Sequence, residues 1–495
     1  MKKRIHQIDL FRKYPHEVQN ELFISLLEKA KNTEWGRTYG YADIKTPEQF
    51  QERVPISTYE EFYPYIERLM KGEQNILWPT KIEWFSKSSG TTNARSKYIP
   101  VSKESLEDCH YKGGKDLLSI YVNNYPDTKL FTGKGLSLGG SHRPNEFNSQ
   151  TSVGDVSAVI MQNLPIWAEA IRTPPLKVAL MDNWDEKIAK MVEITTKENV
   201  TSLSGVPTWT YVLLNRILEV TGKNNILEVW PNLELFAHGA VAFGPYRELF
   251  RQLIPSQQMH YLEIYNASEG FFGIQDQRDT EDEMLLMLDY GVYYEFIPAE
   301  EFESEHPKTL QLHEVEVGKN YALVISTNAG LWRYKIGDTI KFTSLQPYRI
   351  KISGRTKHYI NAFGEEVIVE NAEEAIRSAC DATGAVITNF TAAPIYIENK
   401  SRGGHQWLIE FSQQPNNLER FTDVLDKTLR KINSDYDAKR YQDMALHAPV
   451  ITVAPQGAFL NWLRSKGKLG GQNKVPRLSN TREYLEEMLE VNGLK

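Results

Sequence analysis

Between Phe85 and Pro100 the chain reads FSKSSGTTNARSKYIP, and the run Ser88, Ser89, Gly90, Thr91 and Thr92, followed by Lys97, gathers hydroxyls, unhindered backbone amides and a cation on one short segment. Such a segment suits an anion, because several N–H and O–H donors can converge on it without side chains crowding the approach. A phosphate is the natural guest. The order of a P-loop is absent, and strand-like rather than helical residues come next, which disfavours a Walker-type nucleotide fold. The same residue types also build exposed hairpin turns, so other segments must decide.

Two do. Tyr265-Asn-Ala-Ser-Glu-Gly270 comes after the strand-like YLEIY and sets an aromatic ring, the Ser268 hydroxyl and the Glu269 carboxylate within one turn. A ring can stack on a base, and a carboxylate can bind a magnesium ion held by phosphates. Leu331 to Asp338, LWRYKIGD, ends in a carboxylate just beyond a glycine; placed on a glycine turn, it could accept hydrogen bonds from both hydroxyls of a ribose. Alone, each segment is weak: an isolated tyrosine such as Tyr265 is more often a core aromatic, and Glu269 and Asp338 are more often a surface charge or a turn cap.

The elements that must position these residues are of mixed type. Val18, Leu22, Leu26, Leu27 and Ala30 form a helical stripe, and Thr46 to Gln49 and Ser57 to Glu60 read as capping boxes opening two further helices. Strand-like runs recur at Ile82 to Phe85, Tyr98 to Val101, Tyr261 to Tyr265, Leu285 to Leu288 and Ala322 to Ser326, interleaved with helical patterns such as Pro245 to Leu253. Beyond Gly354 the texture changes. A short strand pair around Tyr359 to Val369 leads into a helix that Gly384 stops; strands at Ala385 to Phe390, Gln406 to Phe411 and Val450 to Val453, an amphipathic helix from about Asn417 to Asn433 and two short helices complete the chain. The expectation is an α/β and α+β protein: a large N-terminal domain with mixed sheets over 1–354 and a small α+β domain over 355–495.

Composition narrows the functions allowed. At 495 residues, with 41% hydrophobic, 24% charged and 11% aromatic residues, the chain can bury a sizeable core. Its net charge of −7 argues against a nucleic-acid partner, which needs a basic surface. Cys109 and Cys380 lie far apart and in no metal-ligand spacing, and the basic N-terminus MKKRIHQIDLFRKYPHE has no apolar stretch behind it. The reading is a cytoplasmic protein with no membrane partner.

The motifs acquire joint meaning from their order. SSGTT with Lys97, HGA at His238 to Ala240, YNASE, YKIGD and Gly354-Arg355 succeed one another as they do in the adenylate-forming ligases. Within that superfamily the chain most resembles the Gretchen Hagen (auxin-responsive) family of acyl acid amido synthetases, through SSGTTNARSKYIP, YNASEGFFG and the late Gln472 to Arg477, QNKVPR. The resemblance spans almost the whole chain, and as a set its motifs are specific.

The resemblance implies a role for each matching residue. Ser88, Ser89, Gly90, Thr91, Thr92 and Lys97 cradle the β- and γ-phosphates of ATP. Gly239 and Ala240 line the groove between adenine and acyl chain; Tyr265 stacks near the adenine; Ser268 meets the α-phosphate; Glu269 binds Mg2+; Asp338 grips the ribose. Arg355 reaches ribose or phosphate at a hinge. Lys474 is the lysine that a mobile C-terminal domain brings to the carboxylate and α-phosphate. Asn93 stands where acyl-CoA ligases carry glycine, and Lys357-His358 replaces the hinge acid.

The implied activity is ATP-dependent adenylation of a small carboxylic acid, then transfer of the acyl group to an amino acid amine. A thioester ligase using the same first step and an inactive nucleotide-binding protein are the alternatives. The acid is not specified by the sequence; Ser141 to Glu146 with His142 and Arg143, Asn163 to Pro175 and Gly205 to Tyr211 are the candidate acyl-pocket segments.

Overall fold

The structure, a computed structural model, describes residues 2–88, 97–139, 142–144, 151–164, 166–181, 183–240, 243, 246–278, 280, 282–302, 304–355, 359–360, 365, 367–395, 403–433, 436–437, 440, 446–467, 475–479 and 481–495. Two compact units divide the chain: Met1–Ala240 with Gln257–Ile352, and Val241–Ser256 with Ser353–Lys495. The larger is mixed α/β and the smaller α+β.

In the larger unit, Trp84–Ser88 (β1) and Lys97–Val101 (β2) form an antiparallel hairpin whose last pair is Ser88 opposite Lys97. With His142–Pro144 (β4) and Ser152–Gly154 (β5) they make a sheet of order β2-β1-β5-β4. The second sheet comprises Lys134–Ser137 (β3), Arg172–Thr173 (β6), Val200–Gly205 (β7), Leu235–His238 (β8), His260–Ala267 (β9), Gly270–Ile274 (β10), Met284–Leu286 (β11), Val292–Pro298 (β12), Asn320–Thr327 (β13), Tyr334–Leu345 (β14) and Tyr348–Arg355 (β15). Their order is β12-β13-β14-β15-β11-β10-β9-β8-β7-β3-β6.

Strands β6, β3, β7, β8 and β9 run parallel, whereas β9 and β10 are antiparallel. Parallel strands are covered on both faces, and β8, Leu-Phe-Ala-His, is accordingly buried at every residue. The direction changes at the Ser268-Glu269 turn between β9 and β10.

The helix Tyr59–Met70 corrects one expectation. Its capping box is Thr58 with Glu61, not Ser57 with Glu60. Ser57 is committed elsewhere: its N–H donates to Arg333 O at 3.0 Å and its carbonyl accepts from Lys335 N at 2.9 Å, so it bridges to β14 and the cap falls on the next residue. The N-terminal helix Pro15–Ala30 is also rotated slightly from its expected stripe. Gln19, Phe23, Leu26, Leu27 and Ala30 are buried, and Gln19 donates to Leu288 O and Val292 O at 2.8 and 3.0 Å.

In the smaller unit, Tyr359–Ile360 (β16) and Val367–Ile368 (β17) pair, and Val386–Ile395 (β18), Gly404–Gln413 (β19) and Val450–Ala454 (β20) form a three-stranded sheet. The helices Val369–Thr383 and Leu418–Ile432 contribute to one core with that sheet through Ile376, Phe421 and Leu425 against Phe390, Trp407 and Ile409. Gly384 ends the first helix at φ 65°, a left-handed cap that suits glycine.

Candidate functional site

The expected phosphate loop closes the β1–β2 hairpin. Ser89, Gly90, Thr91 and Thr92 lie outside the described residues, as does Asn93, and only the backbone of Ser88 is described. Lys97 stands at the mouth of the hairpin, its Nζ 5.7 Å from the centre of the Tyr59 ring, and Tyr59 Oη accepts from Tyr98 N at 2.8 Å. The first helical residue of Tyr59–Met70 thereby fixes where β2 begins.

Gly239 and Ala240 come directly after β8. A Cβ on Gly239 would lie 2.3 Å from Ile264 O, a backbone atom of β9, so no other residue fits. Ala240 takes φ +73°, a left-handed conformation that alanine adopts only under constraint. The tight turn presses the end of β8 onto the strand that carries Tyr265.

Tyr265 is buried, its ring edge-on to Phe272 at 4.9 Å, and its hydroxyl donates to Asp338 Oδ2 at 2.5 Å. Two residues read separately from the sequence are thus joined across β9 and β14. The glycine turn expected before Asp338 is a bulge within a strand. Gly337, at φ 93°, lies inside β14, where the register jumps from Val324 opposite Lys335 to Ala322 opposite Thr339. The residues between are looped out as a bulge, which turns the carboxylate out of the ladder.

Ser268 is buried, and its hydroxyl has no hydrogen-bond partner among the described residues. A buried hydroxyl without a partner is uncommon in a finished protein, and a ligand oxygen would satisfy it. Glu269, next in the turn, is half-buried. Among the described residues no group of three or more His, Cys, Asp and Glu could hold a metal. One carboxylate without a cage fits a magnesium ion held chiefly by nucleotide phosphates.

His110, which sequence reasoning missed, ties this turn to the helices. Its Nδ1 lies 3.0 Å from Asn266 Oδ1, and burial pushes its pKa down to about 4, the Asn266 hydrogen bond opposing the shift. The ring is therefore neutral, donating from Nδ1 and leaving Nε2 as an acceptor. Beside it a cavity of about 270 Å³ opens between the helix Tyr111–Asn124 and strands β3, β7 and β8, with largely apolar walls that include Leu117, Leu118, Leu136, Leu203 and Ala237. Of the candidate acyl segments, Asn163 to Pro175 contributes Leu164, Ala168, Ile171 and Arg172, while Gly205 to Tyr211 supplies none of the described lining. The side chains of His142 and Arg143 lie outside the description.

Arg355 ends β15 with only its backbone described, and Lys474 lies outside the described residues. The segment just beyond Lys474 is anchored within the smaller unit. Ala392 N donates to Arg477 O at 2.9 Å, Thr391 Oγ1 to Pro476 O at 2.6 Å, and the Arg477 guanidinium stacks 4.7 Å from the Phe390 ring centre and reaches Tyr246 Oη at 3.2 Å.

Three models of one family match the chain: the GH3 family N-terminal domain over residues 4–259, the central domain over 285–355 and the C-terminal domain over 370–483. The chain belongs to the GH3 family. Among relatives of this GH3 chain, the indole-3-acetic acid-amido synthetase GH3.3 of Arabidopsis thaliana is 24% identical over 534 aligned residues, covering 93% of this chain and 89% of the relative. The jasmonoyl-L-amino acid synthetase JAR4 of Nicotiana attenuata is 22% identical, covering 96% and 92%. The solved GH3.15 acyl acid amido synthetase superposes with a TM-score of 0.81 at 17% identity, covering 99% of this chain and 96% of that one. A 2-hydroxyisobutyryl-CoA ligase in its postadenylation state shares the fold at TM-score 0.62 and 10% identity, covering 96% and 92%. Both structural likenesses establish the α/β architecture of this GH3 protein.

Proposed function

We propose that this GH3 protein activates a small carboxylic acid with ATP and passes the acyl group to the amine of an amino acid. In the first half-reaction a carboxylate oxygen attacks the α-phosphorus, forming an acyl adenylate and expelling pyrophosphate. In the second, the amine nitrogen attacks the acyl carbon, the carbon–oxygen bond to AMP breaks, and the amine proton leaves to solvent. The observation that carries the reading is the buried, unpartnered Ser268 hydroxyl, set in the turn after the strand bearing Tyr265 of the Tyr265–Asp338 pair.

Each residue then has a task. Ser88, Ser89, Gly90, Thr91, Thr92 and Lys97 take the β- and γ-phosphates, Gly239 and Ala240 line the groove between adenine and acyl chain, Tyr265 stacks near the adenine, and Ser268 donates to the α-phosphate. Asp338, already accepting from Tyr265, keeps acceptor capacity for ribose hydroxyls. Glu269 holds Mg2+, which when bound offsets phosphate charge as the two anions meet. Arg355 and Lys474 add cations, the lysine on a mobile domain formed by 355–495, with 1–354 binding ATP and acid. The acid lies in the cavity beside His110. We also place the protein in the cytoplasm: both cysteines are free, and no helix among the described residues is long and apolar enough to cross a membrane.

ATP–pyrophosphate exchange across a panel of aromatic, phenolic and aliphatic acids tests the reading, with amino acids and CoA then offered as acceptors. Exchange stimulated by an acid is expected, and Ser268→Ala should lower it by about 100-fold. No exchange with any acid would refute the activation step, and transfer to CoA alone would refute the amide.

A further inference from the structure

The helix Arg247–Leu253 comes between β8 and β9 in the chain, yet the segment that contains it, Val241–Ser256, packs as part of the smaller unit. Tyr246 joins that segment to the last part of the chain. It is buried, and its Oη accepts from Arg477 Nη2 at 3.2 Å. The same guanidinium is held elsewhere as well: Nη1 donates to Asn389 Oδ1 and, at 3.2 Å, to Phe390 O, while the Phe390 ring centre lies 4.7 Å away. A planar fork fixed on its face and at one nitrogen presents the remaining N–H groups in a set direction.

Sequence position gives the contact its meaning. Residues 475–479 are fastened to β18: Thr391 Oγ1 donates to Pro476 O, Ala392 N to Arg477 O, and Ser479 N to Ala392 O at 3.1 Å, with Leu478 buried in the core of the smaller unit. Arg477 follows Lys474 by three residues, a chain length of at most about 11 Å. Tyr246 follows Ala240 by six, so its segment leaves directly from the Gly239 turn. Asn389, Phe390, Thr391 and Ala392 all belong to 355–495 and travel with Arg477 wherever that domain goes. Among the described partners of Arg477, Tyr246 is the one that belongs to 1–354. A turn of the C-terminal domain must break this bond and leaves the others whole.

We propose that Arg477 is a positioning residue for acid activation: docked on Tyr246, it holds Lys474 for the first half-reaction and lets go when the domain turns for amine transfer. The assignment rests on the acid-activation reading above. The Tyr246 phenol takes no part in the chemistry; it supplies an acceptor to a guanidinium whose direction is already set. Removing that hydroxyl leaves the ring, its packing and the other bonds of Arg477 in place. Its loss is felt in the stage that needs the contact and not in the stage that has released it.

Tyr246→Phe tests this, measured with the panel acid that gives the strongest pyrophosphate exchange and with the adenylate of that acid, prepared chemically and offered with amino acids. The exchange kcat should fall by about 10-fold, the size of one hydrogen bond to a charged group, with KM for ATP unchanged. Amide formation from the supplied adenylate should keep its wild-type rate, a split that a general loss of structure cannot produce. Arg477→Met should lower exchange too, and adding Tyr246→Phe to it should cost nothing further, because the two act through one bond. Wild-type exchange in Tyr246→Phe, an equal fall in both half-reactions, or additive losses in the double variant would overturn the role of Arg477 and leave acid activation standing. Absence of exchange with every acid in the wild-type protein would overturn both.

Discussion

Around Gly239, Ser268 and Asp338 the backbone itself is the device, whereas the cavity beneath the helix Tyr111–Asn124 is walled by side chains from separate segments. In the first region a glycine presses on a neighbouring carbonyl, an alanine is held at positive φ, and a bulge at Gly337 turns a carboxylate out of its strand. In the second, leucines, alanines and isoleucines face a void that other apolar residues would line as well. Backbone devices fix geometry and resist change. Apolar walls set a shape that substitution can retune.

The sharpest way to break the first region is to remove its support. Arg333, at φ +44° and buried, ion-pairs with Glu295 through Nε at 3.0 Å and donates Nη1 to Val54 O at 2.6 Å, immediately before the strand that carries Asp338. Arg333→Met leaves Glu295 as a buried, uncompensated charge, and a loss of about 3–5 kcal/mol is expected by denaturant titration. A loss below about 1 kcal/mol would show that the pair contributes little to holding β14.

Next in size is Gly239→Ala. The added Cβ meets Ile264 O, which cannot retreat without opening the β8–β9 ladder. Displacing the turn by up to about one ångström should lower pyrophosphate exchange by about 100-fold, while the circular dichroism spectrum persists. Wild-type exchange in that variant would separate the turn from the reaction.

His110 joins the two regions and gives a pH signature. Its pKa of about 4 lies below the ordinary histidine value, so between those values the unfolded chain binds a proton that the folded chain does not. Stability therefore falls as pH falls through this window. His110 should account for about 2 kcal/mol of the loss between about pH 7 and about pH 5, a component missing in His110→Gln. Equal pH slopes in both proteins would place the ring in a wetter setting.

The same contrast explains what the sequence could tell. YNASE and HGA are readable because glycine, serine and a short turn are nearly obligatory where backbone approaches backbone; the β1–β2 hairpin and the Gly384 cap are legible on similar grounds. The Thr58 cap differs from the expected one by a single residue because two overlapping frames satisfy the same pattern, and only the Ser57 bridge to β14 chooses between them. The hydrogen bond from Tyr265 to Asp338 joins positions too far apart for any local pattern. The cavity leaves least trace. Leu118, Leu136, Ala168 and Ala237 come from four elements, and nothing in their types distinguishes a wall from a core.

Leu118→Ala is the mildest test and the one that asks whether the cavity is retunable at all. Leu118 is half-buried on the helix Tyr111–Asn124 and faces the void, so its removal enlarges the space without touching the Gly239 turn or the Tyr265–Asp338 pair. A shortened side chain at a fully packed site would cost about 2–5 kcal/mol; next to an existing cavity, where fewer contacts are lost, about 1 kcal/mol is expected. Exchange with the preferred acid should change by only about threefold, while bulkier acids gain relative to it, since a methylene-sized difference in an apolar pocket is worth about 1–3 kcal/mol. If all acids fall together by a common large factor, the helix is positioning reacting groups rather than shaping the pocket, and the division between a rigid turn region and a tunable wall fails.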